Sequence, residues 1–441
     1  MTKNRLMSFS VALGLAGVLT AGAALLPARG SDSGDETAST AAASAAAFAP
    51  TQDLQGEIDQ LRSRVDAQPA DARTWAVMAL LLIEQARATV DPTYYGQAQS
   101  AIDHSFEVQP HHNDVALAAR AAMLSAQHRF TAALETARSA LRIDPYSASA
   151  LGVRVDALTE LGRLPEALHA ARQFDQRQPG LAATTRLAYQ AELRGNDDLA
   201  HDYFRDALHD AVDATTRAFV EFHLGELARR AGRLTAADHH YRAALQSVPS
   251  DPSATAGLAK IDALRGKNQR AIRTLTELVS RVPLPEHLIS LGELYLLQGD
   301  KAAARAQFKV VRASAQLARA NGIRPDLELS WFESDHGNAA RALSLAKSEW
   351  RKRQPPMVAD ALAWALHQNG HDAAALHYAR LATAFGGDAR SWHHRGVIEA
   401  SLGMDAAARE HLRRALEVDA GYSPWPAQQL HKALVDLRAS S

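Results

Sequence analysis

Histidine is the residue type here best suited to chemistry. Nineteen occur in 441 residues, with doublets at His111-His112, His239-His240 and His393-His394, and with His367 four residues before His371. Imidazoles one helical turn apart can chelate a metal. Adjacent residues, however, point to different faces of a helix, and Gly370 stands between His367 and His371, so no metal site is expected. Asp335-His336 has the makings of an acid–base pair, but beside Gly337 it reads as a capping pair in a turn. No GxSxG, HExxH, GxGxxG, phosphate-loop or EF-hand pattern occurs. The expectation is a protein that is not an enzyme and needs no cofactor.

Composition narrows the partners. The formal net charge is −1, with 22% charged residues of both signs. Binding to nucleic acid or to an anionic membrane surface relies on a basic excess that this chain lacks, so neither is expected. Cysteine is absent, which removes disulfides, thiolate nucleophiles and zinc–sulfur sites. Alanine is abundant, and small side chains let helices approach closely.

The N-terminus carries Lys3 and Arg5 ahead of the charge-free run Met7–Leu26, with a small-x-small motif at Ala21-Gly22-Ala23. Residues 1–29 are expected to form a signal peptide or an uncleaved signal-anchor helix, leaving the rest extracytoplasmic, secreted or tethered to the membrane. Residues 30–53 are rich in Ala, Ser and Thr, with one large apolar residue, Phe48, and are expected to be a disordered linker.

From residue 54 to 437 the chain repeats. Leu54, Ile58, Leu61 and Val65 form one helical stripe, expected to cap the array. His128 and then Gly162, Gly195, Gly232, Gly266, Gly299, Gly337, Gly370 and Gly403 follow at intervals of 34, 33, 37, 34, 33, 38, 33 and 33 residues. Five residues after each glycine stands an alanine: Ala167, Ala200, Ala237, Ala271, Ala304, Ala342, Ala375 and Ala408. The glycine suits a turn whose backbone a Cβ opposes, and the alanine suits a close helix crossing. Pro424, Trp425 and Pro426 open a last helix bearing Leu430, Leu434 and Leu437, a second cap.

Residues 221–245 and 288–311 share the layout Leu-Gly, turn glycine, alanine, aromatic: Leu224-Gly225, Gly232, Ala237 and Tyr241, then Leu291-Gly292, Gly299, Ala304 and Phe308. This resembles the tetratricopeptide repeat, a helix–turn–helix unit of about 34 residues, in about ten copies of an exported bacterial type. The resemblance implies an all-α superhelical solenoid whose first helices line a concave groove, and a non-catalytic scaffold that binds a protein or peptide there. Register puts Arg186, Tyr189, His223, Glu226, Lys260, Glu293, Trp331, Asp360 and Trp364 in that groove. Glu226 and Glu293 hold equivalent places after the Leu-Gly pair, so reversing both charges is expected to weaken binding without unfolding the array. Chaperone-binding members clamp a C-terminal carboxylate with asparagines, but the matching places here hold Val153, Arg186, His223 and Gly257. A subunit accompanying a cell-envelope glycan enzyme, or a self-assembling solenoid, are the alternative roles.

Overall fold

The computed structural model describes residues 54–89, 91–211 and 213–439. The segments expected to be a signal and a linker lie outside the described residues. Helix α1 (Leu54–Ala67) leads into ten antiparallel pairs: α2 (Ala72–Thr89) with α3 (Thr93–Val108), α4 (Asp114–Ala126) with α5 (Phe130–Ile143), α6 (Ala148–Glu160) with α7 (Leu164–Arg177), and α8 (Leu181–Glu192) with α9 (Asp197–His209). The series goes on with α10 (Ala214–Arg230) and α11 (Leu234–Ser247), α12 (Pro252–Leu264) and α13 (Asn268–Arg281), and α14 (Pro285–Leu297) and α15 (Lys301–Ala320). The last pairs are α16 (Asp326–His336) with α17 (Ala339–Trp350), α18 (Pro356–His367) with α19 (Asp372–Thr383), and α20 (Ala389–Ser401) with α21 (Asp405–Val418), before the closing helix α22 (Pro424–Ala439). No strand occurs among the described residues, and the architecture is an all-α solenoid.

Local chemistry sets these boundaries. Asn113, Ser147, Asn196, Asp213, Asp251, Asp300, Asn338 and Asp388 each accept a hydrogen bond from a backbone N–H in the first turn of the helix they open. The turns inside the pairs use a left-handed residue: His128 has φ 60° and Gly232 φ 72°. Gly337 departs from this rule. Its φ is −149°, and it is small for a different reason, since a Cβ there would meet a Glu333 carboxylate oxygen at 1.8 Å. The long interval before Gly232 is taken up by α10, which has 17 residues where α12 and α14 have 13. The one before Gly337 is taken up by the 20-residue α15, which stops at Asn321-Gly322.

All eight alanines placed five residues after the turns are fully buried. The aromatic of the second helix lies against a small residue of the first. A Cβ at Gly225 would sit 2.6 Å from the Tyr241 ring, and one at Gly292 would sit 2.3 Å from Phe308, so neither pair could close around a larger residue. Second helices bury one stripe, as α13 does with Ala271, Ile272, Leu275 and Leu278. First helices are covered more completely; α18 buries every residue from Val358 to Leu366.

The solenoid winds back onto itself. Tyr95 of α3 packs against Ala318 and Ile323, and Arg353, just past α17, pairs with Glu160 of α6. The Ala420 N–H donates to the Arg230 carbonyl at 2.8 Å, joining the end of α10 to the connection before α22. These seams enclose the space that the first helices face.

Candidate functional site

That space is a cavity of about 1030 Å³ walled mainly by first helices from α6 to α20 and by the start of α22. One row of the wall follows from the packing just described. Tyr189, Glu226, Lys260, Glu293 and Trp331 each directly follow the small residue, Ala188, Gly225, Ala259, Gly292 and Ser330, that faces the second helix, and each lines the cavity. Arg186 and His223 line it as well. Asp360 and Trp364 do not reach it, contrary to their expected place in the groove. Asp360 is buried in the wall, accepting from Trp331 Nε1 at 2.9 Å and facing His394 Nδ1 at 2.9 Å. Trp364 lies between repeats, stacked on His394 with ring centroids 4.1 Å apart and donating to Asp335 at 2.7 Å.

Most charges in the wall are already matched. Arg186 holds Asp156 at 2.7 Å and Arg230 holds Glu192 at 2.7 Å. Burial alone would raise the Glu226 carboxyl, but Arg229, Lys260 and the Tyr241 hydroxyl that donates to it keep it well below the ordinary carboxylate range. Glu293 faces His336 Nε2 at 3.1 Å. Asp335 and His336 thus bond across repeats and do not cap a helix; Asn338 caps α17. His223 is wedged among Phe204, Phe219 and Phe222, and burial pushes its imidazole down to about 3, so it is neutral. Three cations of the lining make no ion pair among the described residues: Arg194, which donates to Gln190 and to the Leu164 carbonyl, Lys260, whose ammonium Arg229 and burial push down, and Arg390, whose guanidinium lies 4.3 Å from the Trp331 ring centroid.

Several lining residues escaped the sequence reading. Phe219, Ser253 and Glu286 share one early position of successive first helices, a signal that was there to be found. Asp388, Arg414, Asp419 and Trp425 reach the cavity only because the last repeats close over the earlier ones, and no spacing in the chain announces that. Two of the three histidine doublets are engaged in hydrogen bonds, His240 facing Glu221, His393 facing Tyr422 and His394 facing Asp360, while His111 and His112 are exposed.

Fold and wall together define a helical repeat scaffold. Tetratricopeptide-repeat family models match residues 222–272, 262–318 and 389–422, so the chain carries tetratricopeptide repeats over those stretches. No curated protein matches the sequence. Among solved structures it is similar to a tetratricopeptide repeat protein from Parabacteroides merdae, at 17% identity over 57% of this chain and 97% of that one, with a TM-score of 0.35. It is similar to the Cut9–Hcn1 hetero-tetramer of APC/C, at 14% identity over 87% and 93%, with a TM-score of 0.38. A third is human IFIT1, as a dimer with m7Gppp-AAAA, at 15% identity over 83% and 87%, with a TM-score of 0.45.

Proposed function

We propose that this protein is a non-catalytic scaffold that takes an extended segment of a protein partner into its internal cavity. The observation behind this reading is the composition of the wall. Acids and bases alternate along it with Tyr189, Phe222, Trp331 and Trp425, so a passing backbone meets polar partners and its side chains meet aromatic faces. A nucleic-acid strand would find Arg186, Arg230 and Arg414 engaged by carboxylates and would face Glu226, Glu293 and Asp388. We place the array outside the cytoplasm, secreted or tethered by residues 1–29, on the strength of Lys3, Arg5 and the apolar run behind them.

A photo-crosslinking amino acid at position 260, in the wall, and at position 205, on the exposed face of α9, tests the reading in the native host. The expected result is one protein captured from position 260 and not from 205, with the crosslinked stretch mapping to a single extended peptide. Capture from position 205 alone, or of RNA from position 260, overturns it.

A further inference from the structure

The wall contains an acid with one buried oxygen that no described residue satisfies. Glu286 and His287 open α14 just after Pro285, and both line the cavity. Glu286 Oε2 and His287 Nε2 are buried and have no hydrogen-bond partner among the described residues, and His287 is only 7% exposed. Buried polar atoms are normally paired, and an unpaired one is costly to keep. The neighbouring acids of the wall each have a partner: Glu192 has Arg230, Glu226 has Arg229 and Glu293 has His336. Among the described residues no charged group lies near enough to act on Glu286 or His287. Lys260, in the preceding repeat, has Glu226 and Asp419 as the acids that act on it.

Resting on the peptide reading above, we propose that Glu286 and His287 form a subsite for a basic side chain, lysine or arginine, of the segment held in the cavity. The two vacant atoms are both suited to accept. Burial pushes the His287 imidazole down to about 4, so it is neutral and can turn a lone pair on Nε2 toward a donor. Burial also pushes the Glu286 carboxyl up to about 7, although the first turn of a helix favours a negative charge. A carboxyl held in this way lacks only a counter-ion, and an incoming guanidinium or ammonium supplies both the charge and the donors. An anionic side chain would be repelled there. A neutral amide would satisfy one acceptor and leave the acid without its counter-ion.

A pool of nonapeptides with randomised sequence and both ends capped tests the subsite by retention on the immobilised full chain, with mass spectrometry of what is kept. The wild type is expected to enrich lysine and arginine about tenfold over Glu286→Gln, in keeping with one charge-assisted hydrogen bond in a buried site. For a retained peptide, replacing its arginine by citrulline, which keeps the shape and removes the charge, should then weaken binding to the wild type about tenfold. Against Glu286→Gln the two peptides should bind alike. Equal binding of the arginine and citrulline forms by the wild type overturns the subsite while leaving the cavity reading intact. Retention of no peptide by the wild type overturns both. The citrulline comparison uses unaltered protein, so it decides the matter even where Glu286→Gln folds poorly.

Discussion

Arg229 and Asp419 lie 190 residues apart in the chain and meet at 2.9 Å. Arg229 also donates to the Gly421 carbonyl and holds Glu226, which accepts from Tyr241. A single guanidinium therefore ties the fifth helix pair to the connection that precedes the last helix, and ties that seam to the cavity wall. This changes the role of Glu226. Reversing its charge would not leave the array intact, because it would set a lysine against Arg229, so Glu226 belongs to the seam as much as to the wall.

Truncating the clasp should therefore loosen the whole array. Arg229→Ala leaves Glu226 and Asp419 without their partner in a mostly buried place and should lower unfolding free energy by about 3 kcal/mol. Chemical denaturation measures the loss, and small-angle scattering should show a larger radius of gyration. A variant as stable and as compact as the wild type would remove the clasp from the account.

Ala304 is fully buried where α15 crosses α14, whereas Ala302 two residues earlier is exposed. Ala304→Leu should cost about 1–3 kcal/mol by overpacking, and Ala302→Leu should be neutral. Thermal melting of the two variants side by side checks both halves of the statement.

The other seam carries a pH dependence. Burial pushes Glu328 up to about 7, close to Arg353, Glu349 and Glu160. Its folded value is thus above its unfolded one of 4.5. The folded state holds the extra proton, so its advantage is complete below pH 4.5 and is lost as pH rises to about 7. Glu328→Gln removes that loss. It should raise the melting temperature at pH 8, by a stability increment of at most about 3 kcal/mol, and leave it unchanged near pH 4. Buried neutral histidines act in the opposite sense. His128 and His287, both pushed down to about 4 by burial, favour the folded state above pH 6.5 and cost it stability as pH falls from there. Comparing Glu328→Gln with the wild type at each pH isolates the carboxyl from them.

What the sequence shows and what it hides divide along contact distance. The turn glycines, the buried alanines and the Leu-Gly pairs each act within one repeat, so a spacing of about 34 residues exposes them. The same register correctly leads to Tyr189, Glu226, Lys260, Glu293 and Trp331 as one row of the wall. It fails at Trp364, which holds the same position as Trp331 but is covered because His394 of the following repeat stacks on it. It fails again at Gly337, where the close Glu333 carboxylate, and not a left-handed backbone, demands a small residue. The seams are beyond its reach altogether. Arg353 with Glu160 and Arg229 with Asp419 depend on how far each repeat rotates on the last, which accumulates from many small packing differences.

The closed winding is the claim on which the cavity, its wall and the subsite all stand. Because the chain has no cysteine, cysteines introduced at Arg233 and Ala420 take spin labels at those two places alone. A Cβ at the neighbouring Gly232 would lie 3.1 Å from the Ala420 Cβ, so pulsed electron resonance should find a narrow distance set by the label arms themselves. An array that did not return would hold the two labels five repeats apart, about 50 Å at roughly 10 Å per packed layer. A distribution centred there would contradict the enclosed cavity and everything assigned to it.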